Sequence, residues 1–198
     1  MPISSQGAVA MMAAAPYVYA PAVARLLIVG GGCRGLQLAG EARREGHAVR
    51  IITRAEAHRV RIEAAGAECW IGDPDRLGTL RGALEGVTIA CWLLGTATGS
   101  EEQLCALHGA RLRSFLASAI DTTVRGFLYE AAGSSVPAKA LAEGEGIARE
   151  LTLRNSIPLA LLHADPTDLP RWLEQACAAV DSLLAQPRMS DPERYPRS

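Results

Sequence analysis

The sequence is poor in aromatic residues and carries no excess of positive charge. Phe, Trp and Tyr make up 5% of its 198 residues, and hydrophobic residues of all kinds make up 49%. Small aliphatic side chains must therefore fill the core. The formal net charge is −1, which does not create the positive field that attracts nucleic acid. We expect no nucleic-acid partner.

The sequence also lacks paired cysteines. Its five cysteines are odd in number and none forms a Cys-x-x-Cys pair, a pattern that most structural zinc sites require. The four histidines are scattered along the chain and suggest no metal ligand set. Unpaired thiols are typical of a reducing compartment, and we predict a cytoplasmic protein without a metal.

No apolar run is long enough to cross a bilayer. Residues 1–24 are rich in alanine, but Pro16 and Pro21 interrupt them and no Lys or Arg precedes Arg25. A membrane helix needs about 20 apolar residues, and a secretory signal needs a positively charged start. We predict no membrane partner. The sequence favours a poorly ordered leader over 1–24, one domain over 25–186 and a flexible tail over 187–198.

From Arg25 onward, short apolar runs alternate with helical patterns. The predicted strands are 26–29, 48–53, 68–71, 87–94, 124–131 and 157–162. The predicted helices are 34–45, 55–65, 75–84, 101–119, 137–154 and 167–185, with Asp75 as the N-cap of the third. This alternation is typical of an α/β fold with a parallel sheet and helices on both faces. Right-handed crossovers favour a doubly wound sheet of six strands in the order 3-2-1-4-5-6.

A glycine-rich turn follows the first predicted strand. Its spacing, Gly30-x-Gly32-x-x-Gly35, matches G-x-G-x-x-G, and a helix follows directly. The three glycines permit a tight turn, a close approach of a pyrophosphate and close packing of helix on strand. The helix N-terminus attracts phosphate. We predict a dinucleotide site; the alternative is a glycine turn that binds nothing.

The end of the second predicted strand carries no carboxylate. NAD-binding proteins usually place Asp or Glu there to accept from the ribose 2′-hydroxyl, whereas this chain has Thr53 and Arg54. A guanidinium binds phosphate bidentately, so Arg54 favours NADP, which carries a 2′-phosphate, over NAD. The alternative is that Arg54 only begins the next helix and points into solvent. Asp73 either accepts from an adenine amino group or belongs to a turn. The predicted cofactor-binding residues are Gly30, Gly31, Gly32, Cys33, Arg34, Gly35, Thr53, Arg54, Asp73, Leu94 and Gly95.

Three stretches of the sequence together resemble one known family. They are Leu27–Gly35, Gly46–Arg50 and Gly72-Asp73, and the likeness extends over residues 25–165. They resemble the atypical short-chain dehydrogenase/reductases, in particular the sugar-epimerase-like and NmrA-like branch. This resemblance implies a Rossmann fold and NAD(P) as cofactor. It also implies that active members use a Ser together with Tyr and Lys spaced as Tyr-x-x-x-Lys.

The catalytic pattern that the resemblance implies is incomplete here. The serine position falls on Ala131 or Ala132, and Ser135 rather than Tyr stands four residues before Lys139, which is the single lysine. Lys139 and Ser135 are the remaining catalytic candidates, and exposure in the first helical turn is the alternative for Lys139. Little chain follows His163 to form a substrate lobe. Any substrate pocket would then be small, open or completed by a second subunit, as in a homodimer.

Two classes of function agree with this pattern. One is an NADP-dependent reductase or epimerase-like enzyme for a small carbonyl or hydroxyl substrate, which Lys139 and the glycine turn favour. The other is a regulator or redox sensor that binds NADP without turnover, which the missing Ser and Tyr favour. An assembly role, in which the last helices pair and the cofactor is structural, is a third alternative.

Overall fold

The computed structural model of the chain describes residues 24–30 and 32–186. The predicted leader (Ala24 apart), Gly31 and the predicted tail lie outside these residues. The strands in the described part are β1 (Arg25–Val29), β2 (Ala48–Thr53), β3 (Glu68–Ile71), β4 (Ile89–Trp92), β5 (Gly126–Glu130) and β6 (Leu159–Leu162). They form one parallel sheet in the order β3-β2-β1-β4-β5-β6. The predicted doubly wound topology is confirmed.

The central strands are apolar on both faces because both faces are covered. In β1, Leu26 and Ile28 belong to the core on one side of the sheet, and Leu27 and Val29 belong to the core on the other. Every residue of β4 and β5 is buried, whereas the edge strand β3 is partly exposed. Val29 pairs with Trp92, so the carboxyl ends of β1 and β4 lie side by side.

Helices cover both faces of the sheet, as predicted. They are α1 (Cys33–Arg44), α2 (Arg59–Ala64), α3 (Glu101–Ala106), α4 (Leu112–Ile120), α5 (Ala138–Arg154) and α6 (Leu169–Ala185). Helices α1, α2 and α6 pack on one face, and α4 and α5 pack on the other. After α1, Gly46 adopts a φ of 87°, the left-handed conformation with which glycine commonly ends a helix.

The predicted helix over 75–84 is wrong. Two 3₁₀ turns, Leu77–Thr79 and Gly82–Leu84, occupy this segment. Each turn contains a glycine, and glycine is one of the weakest α-helix formers. Asp75, the expected N-cap, instead places its carboxylate 2.8 Å from the guanidinium of Arg111.

Two other predicted helices form with altered geometry. The helix predicted over 55–65 begins with a 3₁₀ turn, Glu56–His58, before α2. The helix predicted over 101–119 consists of α3 and α4, which a π-helical segment at Leu107–Arg111 joins. Segments of this kind are rare and occur frequently at functional sites. This one borders the carboxyl edge of the sheet.

Candidate functional site

A cavity of about 560 Å³ lies at the carboxyl ends of β1, β2, β3 and β4. A doubly wound sheet binds its ligands at this edge, where the strand order reverses between β1 and β4. The predicted residues that line the cavity are Gly30, Gly32, Cys33, Arg34, Gly35, Thr53, Arg54, Asp73 and Leu94. Gly31 lies outside the described residues, and Gly95 is buried just beyond the lining. The fold thus brings four separate turns to one concave surface.

The glycine-rich turn is shaped by close backbone packing. Gly30 has a φ of 124°, and a Cβ at this position would lie 2.1 Å from the carbonyl oxygen of Leu93. A Cβ on Gly35 would lie 2.2 Å from the carbonyl oxygen of Gly30. The Cβ position of Gly32, by contrast, meets no heavy atom within 4 Å. The first and third glycines therefore serve packing, and the second leaves the backbone open to the cavity.

The N-terminus of α1 points its backbone donors toward this opening. Gly32 is the N-cap and supplies no side-chain hydrogen bond, and no acidic residue stands in the first turn of the helix. The first N–H groups of an α-helix have no partner within the helix. Together with the helix dipole, they form a site that suits a phosphate.

Arg54 reaches the cavity from the end of β2. Its side chain is exposed and lines the cavity, and within the described residues no ion pair engages it. The hydroxyl of Thr53 accepts a hydrogen bond from the Ala55 N–H at 3.3 Å and lies 3.0 Å from Nδ1 of His58. Thr53 thus holds the turn that presents Arg54. His58 also lines the cavity, and sequence reasoning missed it because nothing in the local pattern marks it.

The turn after β3 places two carboxylates at the cavity, and both are engaged by the fold. Asp73 Oδ1 accepts from the Asp75 N–H at 3.0 Å, and the Asp73 N–H donates to Thr79 at 2.9 Å. Asp75 is neutralised by Arg111 at 2.8 Å. Asp73 therefore has the turn role that the sequence left open, while its side chain still faces the cavity.

Arg34 forms a buried ion pair that sequence reasoning did not predict. Its guanidinium lies 3.3 Å from Glu130 at the end of β5, and Glu130 is 0% exposed. The two carboxylate oxygens of Glu130 also accept from the N–H of Gly95 at 2.7 Å and from the indole N–H of Trp172 at 2.8 Å. Burial raises the pKa of Glu130, and these three donors oppose that rise. The only sequence signal was a glutamate that closes an apolar strand.

The loops after β4 and β5 are in direct backbone contact. A Cβ on Gly95 would lie 2.0 Å from the carbonyl oxygen of Ala132, and a Cβ on Gly133 would lie 2.3 Å from the carbonyl oxygen of Gly95. Glycine at both positions allows this approach. Backbone therefore fills the space between these two loops, beside the cavity that other residues of the β4 loop line.

The two predicted catalytic residues do not lie in the cavity. Ser135 and Lys139 are exposed, near the start of α5, and neither lines the cavity wall. His163 is exposed as well, and its ring lies 3.9 Å from Glu145. Catalytic roles for Ser135 and Lys139 stay predictions.

Tyr129 and His108 form a buried polar pair beside the cavity. The Tyr129 hydroxyl lies 2.7 Å from Nδ1 of His108 and donates to the carbonyl of Leu141 at 3.2 Å. Nε2 of His108 lies 3.4 Å from the carbonyl oxygen of Leu94, which lines the cavity. Burial lowers the pKa of His108 to about 4 and raises the pKa of Tyr129. The pair is neutral at pH 7 and anchors the π-helical segment to β5.

The described part of the chain, residues 24–30 and 32–186, holds neither a metal ligand set nor a membrane-spanning helix. No three His, Cys, Asp or Glu side chains in this part of the chain come together as a metal ligand set. None of its helices combines the length and the apolar character needed to cross a bilayer.

Comparison with known proteins finds similarity in structure but not in sequence. No family model matches the sequence, and no curated protein matches it. A short-chain dehydrogenase/reductase superfamily protein from Agrobacterium tumefaciens with bound NAD superposes with a TM-score of 0.59 at 16% identity, over 84% of this chain and 63% of that one. UDP-glucuronic acid 4-epimerase from Bacillus cereus, in complex with NAD, gives 0.56 at 14% identity, over 70% and 55%.

A third solved structure carries the phosphorylated cofactor. Triphenylmethane reductase from Citrobacter sp., complexed with NADP(H), gives a TM-score of 0.54 at 20% identity, over 70% of this chain and 48% of that one. The chain thus spans about half to two thirds of the length of the structures it matches. At these identities the likeness concerns the fold. The chain has the Rossmann-type fold of the short-chain dehydrogenase/reductases, as its sequence resemblance implied.

Proposed function

We propose that this chain binds a nicotinamide dinucleotide and prefers NADP to NAD. The observation that carries the proposal is Arg54, which stands exposed at the end of β2 and lines the same cavity as the glycine-rich turn. The N-terminus of α1 suits the 5′-phosphates, and Arg54 suits a phosphate on the adenosine ribose. Solved structures of the same fold contain NAD or NADP(H), which supports the general ligand class.

The charges around Arg54 favour a phosphorylated ribose. Asp75 is paired with Arg111, and Arg34 is paired with Glu130. Arg54 forms no ion pair within the described residues and so contributes a positive charge to the cavity, while the Asp73 carboxylate on the same cavity accepts from the Asp75 N–H at 3.0 Å. A carboxylate at the end of β2 would select NAD by accepting from the 2′-hydroxyl, and Thr53 fills that place with a hydroxyl that the turn already uses.

As to activity, we propose binding without turnover, as in a regulator or redox sensor. Ser135 and Lys139 are exposed outside the cavity, and the Tyr129 hydroxyl is buried against His108 and Leu141. A reductase or epimerase-like activity is the competing function. A second subunit that completes the substrate pocket and a cytoplasmic location stay predictions as well.

Calorimetric titration of NADPH and NADH tests the cofactor proposal. We expect NADPH to bind about tenfold more tightly than NADH, and Arg54→Ala to abolish that difference, because one charge-assisted contact to phosphate is lost. Arg61→Ala is the matched control, since Arg61 is an exposed arginine of α2 that does not line the cavity. Absence of binding by either cofactor would overturn the whole proposal. Equal binding that Arg54→Ala leaves unchanged would overturn the NADP preference.

A screen of NADPH oxidation with small carbonyl substrates tests the activity. Binding without turnover predicts no oxidation above the rate without protein, both in the wild type and in Lys139→Ala. Sustained oxidation by the wild type that disappears in Lys139→Ala would instead establish the enzyme and give Lys139 its catalytic role.

A further inference from the structure

The cavity covers the sheet edge from β3 to β4 and does not reach β5 or β6. Within the described residues, its lining comes from the turns after β1, β2, β3 and β4 and from the α3 region, and none comes from β5, β6 or the loops that follow them. A doubly wound fold of this kind consists of two mononucleotide-binding halves, and a dinucleotide spans both. Here the half with the glycine-rich turn is open, together with the loop after β4, the first strand of the second half.

Beyond β4, the side chain of Arg34 covers the ends of β5 and β6. From the start of α1, its guanidinium reaches Thr96 in the loop after β4, Glu130 at the end of β5 and, at 3.4 Å, the carbonyl of Pro166 after β6. It also lies over the ring of Trp172, 5.3 Å from the ring centre. One side chain therefore lies across the carboxyl ends of all three strands of the second half.

The ion pair resists displacement. The Arg34 side chain is 16% exposed and that of Glu130 is 0% exposed. A ligand that moved Arg34 away would leave the Glu130 carboxylate buried without its cation, which is strongly unfavourable. The contact between the Gly95 and Gly133 loops closes the remaining space from the backbone side.

We infer that the site recognises only the adenosine-phosphate half of its ligand, because the Arg34–Glu130 pair covers the ends of β5 and β6, over which the second nucleotide would have to extend. The inference rests on the proposed function, since it takes the open half as an adenosine-phosphate site. The ligand class is an adenine nucleotide with a 5′-phosphate and, through Arg54, a 2′-phosphate. The nicotinamide ring of a bound NADPH stays in solvent, away from the protein surface that hydride transfer would need.

Calorimetry with whole and truncated ligands tests this inference on the wild-type chain. The pairs are NADPH against 2′,5′-ADP and NADH against ADP-ribose, so that the result does not depend on the NADP preference. We expect the two members of each pair to bind within about threefold of one another, because the omitted part makes no contact. Binding of the whole dinucleotide about tenfold or more tightly than its fragment would overturn the inference. If no ligand of either pair binds, the proposed function itself fails.

The fluorescence of bound NADPH provides an independent reading that requires no variant. A nicotinamide ring in solvent keeps the emission of free NADPH when the protein is saturated. A brighter, blue-shifted emission would show that the ring lies in an apolar pocket and would overturn the inference.

A paired variant tests the assignment to Arg34 and Glu130. In Arg34→Ala/Glu130→Gln both charges are removed together, and Gln retains an acceptor for the Gly95 N–H. We expect this variant to bind NADPH about tenfold more tightly than 2′,5′-ADP, because the second half becomes open. Arg113→Ala/Glu150→Gln, which removes an exposed ion pair on α4 and α5, is the control and should keep the two affinities equal. Equal affinities in the first variant would overturn the role of the ion pair.

Discussion

Gly144 lies where α5 crosses the buried Tyr129. A Cβ at this position would stand 2.1 Å from the Tyr129 hydroxyl and 2.9 Å from the carbonyl oxygen of His108. Tyr129 is fully buried and its hydroxyl is held by two partners, so the ring has no room to withdraw. A glycine in the middle of a long helix is thus explained by packing across the fold rather than by helix propensity.

Gly144→Ala should lower the free energy of unfolding by about 1–3 kcal/mol, because the added methyl group overpacks a closed site. Gly146→Ala, two residues along the same helix, is the control, since its Cβ would meet nothing within 4 Å. There the substitution should stabilise the protein by about 0.5–1 kcal/mol, because alanine loses less backbone entropy in a helix. Urea denaturation measures the change in unfolding free energy for each substitution. Equal changes would contradict the packing argument.

At the scale of elements, the segment between α3 and α4 shows how a local irregularity positions a side chain. The π-helical segment Leu107–Arg111 carries His108 inward, where it meets Tyr129 of β5 and the carbonyl oxygen of Leu94. A regular helix was the prediction for this stretch. A single π-helical turn changes the spacing of the hydrophobic residues too little to be recognised in the sequence. It becomes evident only from the contact of His108 with β5.

The pH dependence of stability should reflect His108. Its pKa falls from 6.5 to about 4 on folding, so the unfolded chain takes up the proton first as the pH drops. The free energy of unfolding therefore keeps its full value above pH 6.5. It decreases as the pH falls from 6.5 toward 4. The difference between these pKa values corresponds to about 3 kcal/mol.

His108→Gln should therefore show a smaller loss of unfolding free energy than the wild type between pH 6.5 and pH 4. Urea denaturation at several pH values measures this difference. The raised pKa of Glu130 acts in the opposite direction, since the folded state binds that proton more tightly, but it is present in both proteins. Parallel pH profiles of wild type and variant would rule out His108 as the source.

At the scale of the whole molecule, one buried cluster links distant parts of the chain. Glu130 ends β5, Arg34 begins α1 and Trp172 belongs to α6, and the three meet beneath the carboxyl edge of the sheet. Helix α6 therefore helps to cover the carboxyl ends of β5 and β6, which the cavity does not reach. This closure is the reason that the proposed site is a half-site.

Trp172→Phe should destabilise the fold more than Trp92→Phe. Both tryptophans are fully buried, so both lose comparable packing. Trp172 also donates its indole N–H to Glu130 at 2.8 Å, whereas the indole N–H of Trp92 has no partner within the described residues. Loss of a hydrogen bond to a buried charged group should make the difference about 1–3 kcal/mol, and thermal or urea unfolding measures it. Equal destabilisation would mean that the Trp172 bond adds nothing.

The topology and the glycine-rich turn were predictable because they depend on local patterns. Alternating strands and helices with short loops leave few arrangements once crossovers are right-handed, and the order β3-β2-β1-β4-β5-β6 followed. Gly30, Gly35 and Gly46 stand where the backbone needs glycine. The prediction of a helix over 75–84 failed because Gly78 and Gly82 weaken an α-helix, and the segment forms two 3₁₀ turns instead.

The sequence by itself determined the doubly wound sheet, the position of the glycine-rich turn and the absence of a carboxylate at the end of β2. Each of these resides in adjacent residues and their spacing. Only the tertiary structure decided which side chains share the carboxyl edge. Trp172 bonds to Glu130 from 42 residues away, and Arg34 meets both after the whole sheet has assembled. No local sequence pattern predicts that Arg34, Glu130 and Trp172 are in contact. Their contact depends on burial and charge pairing between segments that are distant in the chain.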